Sequence, residues 1–231
     1  MLAASLLAQQ DQTPRPLVKN ERGLLQINRM YFDLAANTGG DFYFWAPGEF
    51  VTAKLQVPLP GVPVVLSYGS MESKKVFEIP IESGVTQFML FAGVQRKDLA
   101  VLVRPDGTLF QDVQVFQNML IATVPSPVAG VWHLELDGEG TYAVTVHLKP
   151  ADDGPHFHFD SAECHAVLTN ARDAQLSFVA LDGSVFASAP LDHCTMPKVP
   201  FRAMVRGVDS TGAVFQRIES HPHTPTSLGL R

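Results

Sequence analysis

The densest run of metal-ligating side chains in the chain is His156-Phe-His-Phe-Asp-Ser-Ala-Glu163. Side chains two positions apart on a β-strand leave the same face, so His156 and His158 can approach one ion together, with Glu163 as a third ligand. The competing reading is structural: on an alternating strand Phe157 and Phe159 take the core face, and both histidines are left in solvent. Further donors lie in distant segments. His221 and His223 flank Pro222, and His193 precedes Cys194; these would have to converge in space to hold a transition metal. Asp106, Asp112 and Asp137 are the candidates for calcium, and none stands in the spacing of an EF-hand loop.

Signatures of covalent catalysis are missing. There is no Gly-x-Ser-x-Gly, Ser-x-x-Lys or His-Glu-x-x-His, and Ser67-Tyr-Gly-Ser-Met-Glu-Ser73 reads as a serine-rich turn. Asp152 and Asp153 read as a solvated interdomain turn rather than an acid/base pair. The chain therefore reads as non-enzymatic, with a metal-dependent enzyme on His156, His158 and Glu163 as the alternative, since β-sandwich catalysts often carry no short signature. The His-x-His…Glu spacing is similar to that of cupins, but the flanking glycines and a second motif are lacking.

Hydrophobic period sets the elements that must carry these residues. Apolar positions 24, 27, 30, 31, 34 and 35 follow helical spacing and stop at Asn37-Thr38-Gly39-Gly40, which predicts one helix, followed by a short aromatic strand over Asp41-Phe-Tyr-Phe-Trp-Ala46. From Val51 to Lys149 strand-like runs recur between turn signals, with Val131 to Leu136 and Thr141 to Leu148 read as a hairpin through Asp137-Gly-Glu-Gly140. After Pro150-Ala-Asp-Asp-Gly-Pro155, strand-like runs resume to Ile218, the last two joined through Gly207 to Gly212; Phe201, Ala203 and Val205 alternate with Arg202, Met204 and Arg206. The reading is all-β: a tail and helix–strand segment over 1–47, a β-sandwich over 48–150, a second, Ig-sized β-sandwich over 151–219 and a flexible tail over 220–231.

The 231 residues are 46% hydrophobic and 17% charged, with a formal net charge of -6, so a core can form and no basic stripe exists to release counterions from a nucleic acid. The opening Leu2-Ala-Ala-Ser-Leu-Leu-Ala8 is too short to span a bilayer and lacks the basic region of a signal peptide; it reads as a clipped signal tail or a frayed terminus. Cys164 and Cys194, thirty positions apart, leave their redox state open: an exported chain admits either a disulfide or two thiols, and a cytosolic one defaults to buried thiols.

The helix ending in Leu34-Ala-Ala-Asn-Thr-Gly-Gly40, the Val101-Leu-Val-Arg-Pro-Asp-Gly-Thr108 strand and turn, the Val128-Ala-Gly-Val-Trp-His-Leu-Glu135 strand, and the terminal Gly-Val-Asp…Phe-Gln-Arg pattern together resemble hemicentins and related von Willebrand A-containing extracellular proteins. The resemblance covers residues 24 to 218 and implies the region downstream of the A domain, a jelly-roll-like or galactose-binding-like β-sandwich over 48–150 followed by an Ig-like β-sandwich over 151–219, with a role in cell adhesion or matrix association. No Asp-x-Ser-x-Ser occurs, so that family's metal-dependent adhesion site is not carried over. The resulting expectation is a secreted, extracellular or periplasmic recognition module for a protein or glycan surface, without nucleic acid or membrane insertion. Arg96, Lys97, Arg104, Arg202 and Arg206 are expected at its contact surface. A structural subunit of a larger assembly, pairing strand edges with copies of itself, is the further alternative.

Overall fold

The structure, a computed structural model, describes residues 29–45, 49 and 61–224. It is all-β with one short helix. Strands Val62–Met71 (β1), Lys75–Ile81 (β2), Gln87–Val103 (β3), Val113–Val115 (β4), Met119–Pro125 (β5) and Gly130–Lys149 (β6) form an antiparallel sheet in the order β1-β6-β3-β5-β4. β2 pairs with β6 as well, against Leu136 to Gly130, while β1 takes Leu148 to Gly140.

That arrangement corrects the hairpin expected at Asp137-Gly140, because β6 runs straight through those residues. Gly138 and Glu139 pair instead with Lys97 and Arg96 of β3, which carries register shifts on both sides of this contact. A Cβ at Gly138 would lie 2.2 Å from the Arg96 carbonyl oxygen, so only glycine permits the approach. Bulges opposite a glycine bend a strand pair, and here the sheet doubles over on itself. Phe88 from one half meets Trp132 from the other edge to face at 5.2 Å. Val64, Leu90, Leu120, Val144 and Val146 pack in the same core as Ile79, Leu102, Trp132 and Leu134. The sandwich is thus two halves of one sheet sharing the same two long strands.

Burial along β6 records this arrangement. Its first half alternates, with Trp132, Leu134 and Leu136 buried, whereas Tyr142 to Val146 are buried without a break. The unbroken half is covered on both faces. Its outer face receives the helix Arg29–Thr38 (α1) and the aromatic segment Phe42 to Trp45, which has no strand pairing, contrary to expectation. Those aromatics pack on one another: Tyr43 stacks on Trp45 at 5.7 Å and Trp45 meets Phe116 at 5.1 Å. α1 ends at Gly39, in the left-handed region with φ 68°, as the glycine stop signal predicts.

The second half of the chain forms the hairpin His156–Asp160 (β7) and His165–Thr169 (β8), then a four-stranded sheet of Ala171–Val179 (β9), Val185–Ala189 (β10), Arg202–Asp209 (β11) and Val214–Ile218 (β12) in the order β10-β9-β11-β12. Phe159 and Ala166 of the hairpin pack on Leu176, Phe178, Phe201 and Ala203, which gives a second sandwich. Cys164 and Cys194 are joined as a disulfide with their Cα atoms 5.2 Å apart. The bond ties the β7–β8 turn to the segment after β10, whose Leu191 carbonyl accepts the Ala166 amide.

The two sheets meet along a seam. Val179 and Ile218 enter the core made by Leu66, Tyr68 and Phe91. Glu82, after β2, and Arg217, in β12, form an ion pair with side chains 0% and 2% exposed. Asp209 accepts the Ser83 amide at 2.9 Å, and the Gln216 side chain donates to the Val64 carbonyl at 2.6 Å. Arg202, expected at the surface, is fully buried here: it donates to the Ala36 carbonyl at the C-terminal end of α1 and lies over the Tyr68 ring. A guanidinium there complements the negative end of the helix, which is why an outward position in the alternation is occupied by a buried cation.

Candidate functional site

A cleft of about 500 Å3 opens at the seam, lined by the start of β1, the start of β7 and the end of β12 with the chain that follows it. Val62, Pro63, Pro155, Phe157 and Ile218 supply apolar surface, and His156, Glu219, His221 and His223 supply polar groups. β7 alternates as the structural reading of its sequence expects. Phe159 is buried against Phe178 and Phe201, Phe157 is half-buried, and His156 and His158 are exposed.

The segment after β12 completes the cleft. Residues 220–224, placed in the tail from the sequence, turn back so that Phe201 and His223 exchange both backbone hydrogen bonds, at 3.0 and 2.6 Å. The His223 ring stacks on Phe201 at 5.1 Å and its Nε2 lies 2.6 Å from the Glu219 carboxylate. Burial pushes the Glu219 carboxyl above its ordinary range, against the opposing pull of His223 and His158. The i, i+4 spacing of Glu219 and His223 was the available signal for this pair, but nothing in the sequence shows that the chain folds back on Phe201. An imidazole held by a carboxylate and an aromatic ring is a fixed polar group beside an apolar floor, an arrangement that orients a bound ligand.

The three residues singled out as metal ligands are distributed differently. His156 lines the cleft, and His158 follows on the same exposed face of β7. Glu163 sits in the β7–β8 turn, where its Oε2 lies 3.6 Å from His165 Nδ1. Among the described residues, the one group of three or more donors whose ligand atoms all lie within 4.8 Å of one another is Asp160, Glu163 and His165. Asp106, Asp112 and Asp137 stand outside it; Asp106 closes its own turn by accepting from the Thr108 amide and hydroxyl, and Asp137 lies within β6.

A second cleft, of about 450 Å3, lies along the seam between β1, β2 and the turn at Asp182-Gly183. The serine-rich segment is part of β1 as far as Met71. Ser67 donates to the Asp182 carbonyl; its Oγ is 3.0 Å from the Tyr142 hydroxyl, which lies 3.2 Å from Lys75 Nζ. A hydroxyl whose hydrogen is engaged by a carbonyl is spent on holding the turn against β1, together with the Tyr68 amide on the Leu181 carbonyl at 2.9 Å. The expected contact cations are engaged too: Arg206 pairs with Glu78 at 2.8 Å, Arg96 with Glu139, and Lys97 donates to the Phe116 and Met119 carbonyls. Arg104 donates to the Leu109 carbonyl at 2.8 Å and lies over the Phe110 ring. Among the described residues no helix is long and apolar enough to cross a membrane.

No protein-family model and no curated protein matches the chain. Among solved structures, it is similar to the lipase BlEst2 of Bacillus licheniformis in its propeptide form, at 12% identity and a TM-score of 0.46, over 71% of this chain and 41% of that one. The chain therefore spans about two fifths of that protein's length, and a likeness of this degree assigns no activity.

Proposed function

We propose that the chain is an exported, non-enzymatic recognition module of adhesion or matrix type, which holds a segment of a partner protein or a glycan in the cleft beside β7. The observation that carries this reading is the make-up of the cleft: an apolar floor from both sheets, edged by His156 and His221 and by His223, whose ring is held in place by stacking on Phe201 and by the Glu219 carboxylate. Pyranose rings and peptide backbones both offer apolar faces with hydrogen-bonding edges, which such a surface fits. The Cys164–Cys194 disulfide supports export, because such bonds persist in oxidising compartments. The order of motifs shared with the region downstream of the A domain in hemicentin-like proteins supports an Ig-like second sandwich and the adhesion role.

Disulfide-intact protein applied to glycan and matrix-protein arrays tests the reading, with each hit repeated using Phe157→Ala and His156→Ala. The expected result is a ligand whose binding weakens at least about five-fold in both variants, the loss of one well-placed contact. Binding that ignores both substitutions, or no binding across the arrays, would sink the proposal.

A further inference from the structure

The far end of the same hairpin carries a second kind of chemistry. Asp160 is the last residue of β7 and His165 the first of β8, and the two are cross-strand partners. Glu163 projects from the turn between them. Cys164, beside Glu163 and His165, is fixed to Cys194, so the turn bearing all three donors is covalently held to the rest of the second sandwich. We infer that Asp160, Glu163 and His165 form a binding site for a zinc-like divalent transition ion, separate from the cleft and independent of what the cleft binds.

Three observations carry the inference. The donor atoms already converge, all within 4.8 Å, with Glu163 Oε2 and His165 Nδ1 3.6 Å apart. Ligands at about 2.0–2.2 Å from a tetrahedral ion stand roughly 3.4 Å from each other, so small side-chain rotations bring these atoms onto one ion. Asp160 is preset for the role: its Oδ1 accepts the Ala162 and Glu163 amides at 2.8 and 3.3 Å, bonds that orient the carboxylate and leave the other oxygen for the metal. A neighbouring donor is at hand as well, since His158 stands two residues before Asp160 on the same face of β7.

One nitrogen and two carboxylate oxygens suit an ion of borderline softness. Calcium takes six to eight oxygens, and magnesium keeps octahedral oxygen shells with several waters. Three protein donors leave a coordination position open, which His158 or water can fill. Glu163 is 76% exposed and His165 28%, so the site exchanges ions freely with solvent.

Calorimetric titration of tag-free, disulfide-intact protein with zinc chloride, followed by native mass spectrometry, tests this. One zinc per chain is expected, weakened at least about ten-fold in both Glu163→Gln and His165→Gln, with His156→Ala and His221→Ala unchanged. Calcium chloride is expected to give no heat at matched concentration. Glu163 is exposed and His165 half-buried, and an unchanged melting temperature would show that both glutamine variants remain folded. Absence of binding up to about 1 mM zinc, or binding lost in His156→Ala or His221→Ala but kept in His165→Gln, overturns the inference.

Discussion

Removing the charge of Glu82 while keeping its shape isolates what joins the two sheets. In Glu82→Gln the Arg217 guanidinium, 2% exposed and beside Phe215, is left without its counter-ion. It retains the Gln216 carbonyl at 2.9 Å, a neutral acceptor that cannot replace a carboxylate. Breaking a buried pair from one side costs about 3–5 kcal/mol, because the remaining charge stays desolvated. For a protein of this size that corresponds to a melting temperature about 10 °C lower. Replacing both partners, as Glu82→Met with Arg217→Met, removes the charges together and is expected to recover most of the loss, to within about 1 kcal/mol of the parent. Urea denaturation followed by far-UV circular dichroism gives both numbers from the midpoint and slope. A Glu82→Gln penalty below about 1 kcal/mol, or a double variant no more stable than the single, would refute the account of a desolvated pair. Because Glu82 follows directly on a strand of the first sheet and Arg217 lies in the second, one cooperative transition is expected; two transitions with only one moved would show that the seam does not couple them.

Three further outcomes follow from particular contacts. Asp209 accepts from the Ser83, Thr211 and Ala213 amides and the Thr211 hydroxyl; burial raises its pKa, but these bonds prevail and hold it below the usual carboxylate range. The unfolded chain therefore binds the proton more readily. Asp209's contribution is full above about pH 4 and is lost as the pH falls through the folded value, so urea midpoints taken down the pH scale should fall less steeply below about pH 4 in Asp209→Asn than in the parent. Reducing the Cys164–Cys194 bond opens a loop with a sequence separation of 30, for which the loop-closure relation gives about 4 kcal/mol; denaturation with and without dithiothreitol measures it, and no difference would count against the bond as a stabilising link. Gly138→Ala sets a methyl against the Arg96 carbonyl and should lose at least about 2 kcal/mol in the same assay, with stability within about 0.5 kcal/mol of the parent refuting the bend as drawn.

What the sequence disclosed and what it hid divide along physical lines. Strands whose neighbours are close in sequence were legible: Phe201, Ala203 and Val205 alternate into the core, and the β11–β12 hairpin closes at Asp209 to Ala213. The helix and its glycine stop were legible as well, within the described residues that begin at position 29; its expected first turns lie outside them. The bend at Gly138 was not, because Asp-Gly-Glu-Gly is also a good turn sequence, and only pairing with distant Arg96 and Lys97 decides between turn and bend. Arg202 misled for a similar reason. Alternation assigns it an outward face without showing that α1 covers that face. The sequence set His156, His158 and Glu163 on one ion by spacing alone; in the structure His156 lines the cleft, whereas Glu163 stands in the β7–β8 turn near Asp160 and His165, a neighbourhood that only the pairing of the two strands creates.

The doubled sheet also bears on how the chain reaches its native state. The β3–β6 pair joins residues as far apart as Gln87 and Lys149, and both faces of the first sandwich depend on it. Closing so long a loop comes before the contacts that reward it, and topologies of this kind fold in milliseconds to seconds. Until then Phe88 to Val94 and Tyr142 to Val146, buried in the finished protein, stand open as adhesive strands in a slowly folding chain. The waiting time of that one pairing, more than the equilibrium stability it leads to, sets how long the newly made chain needs protection from its own copies.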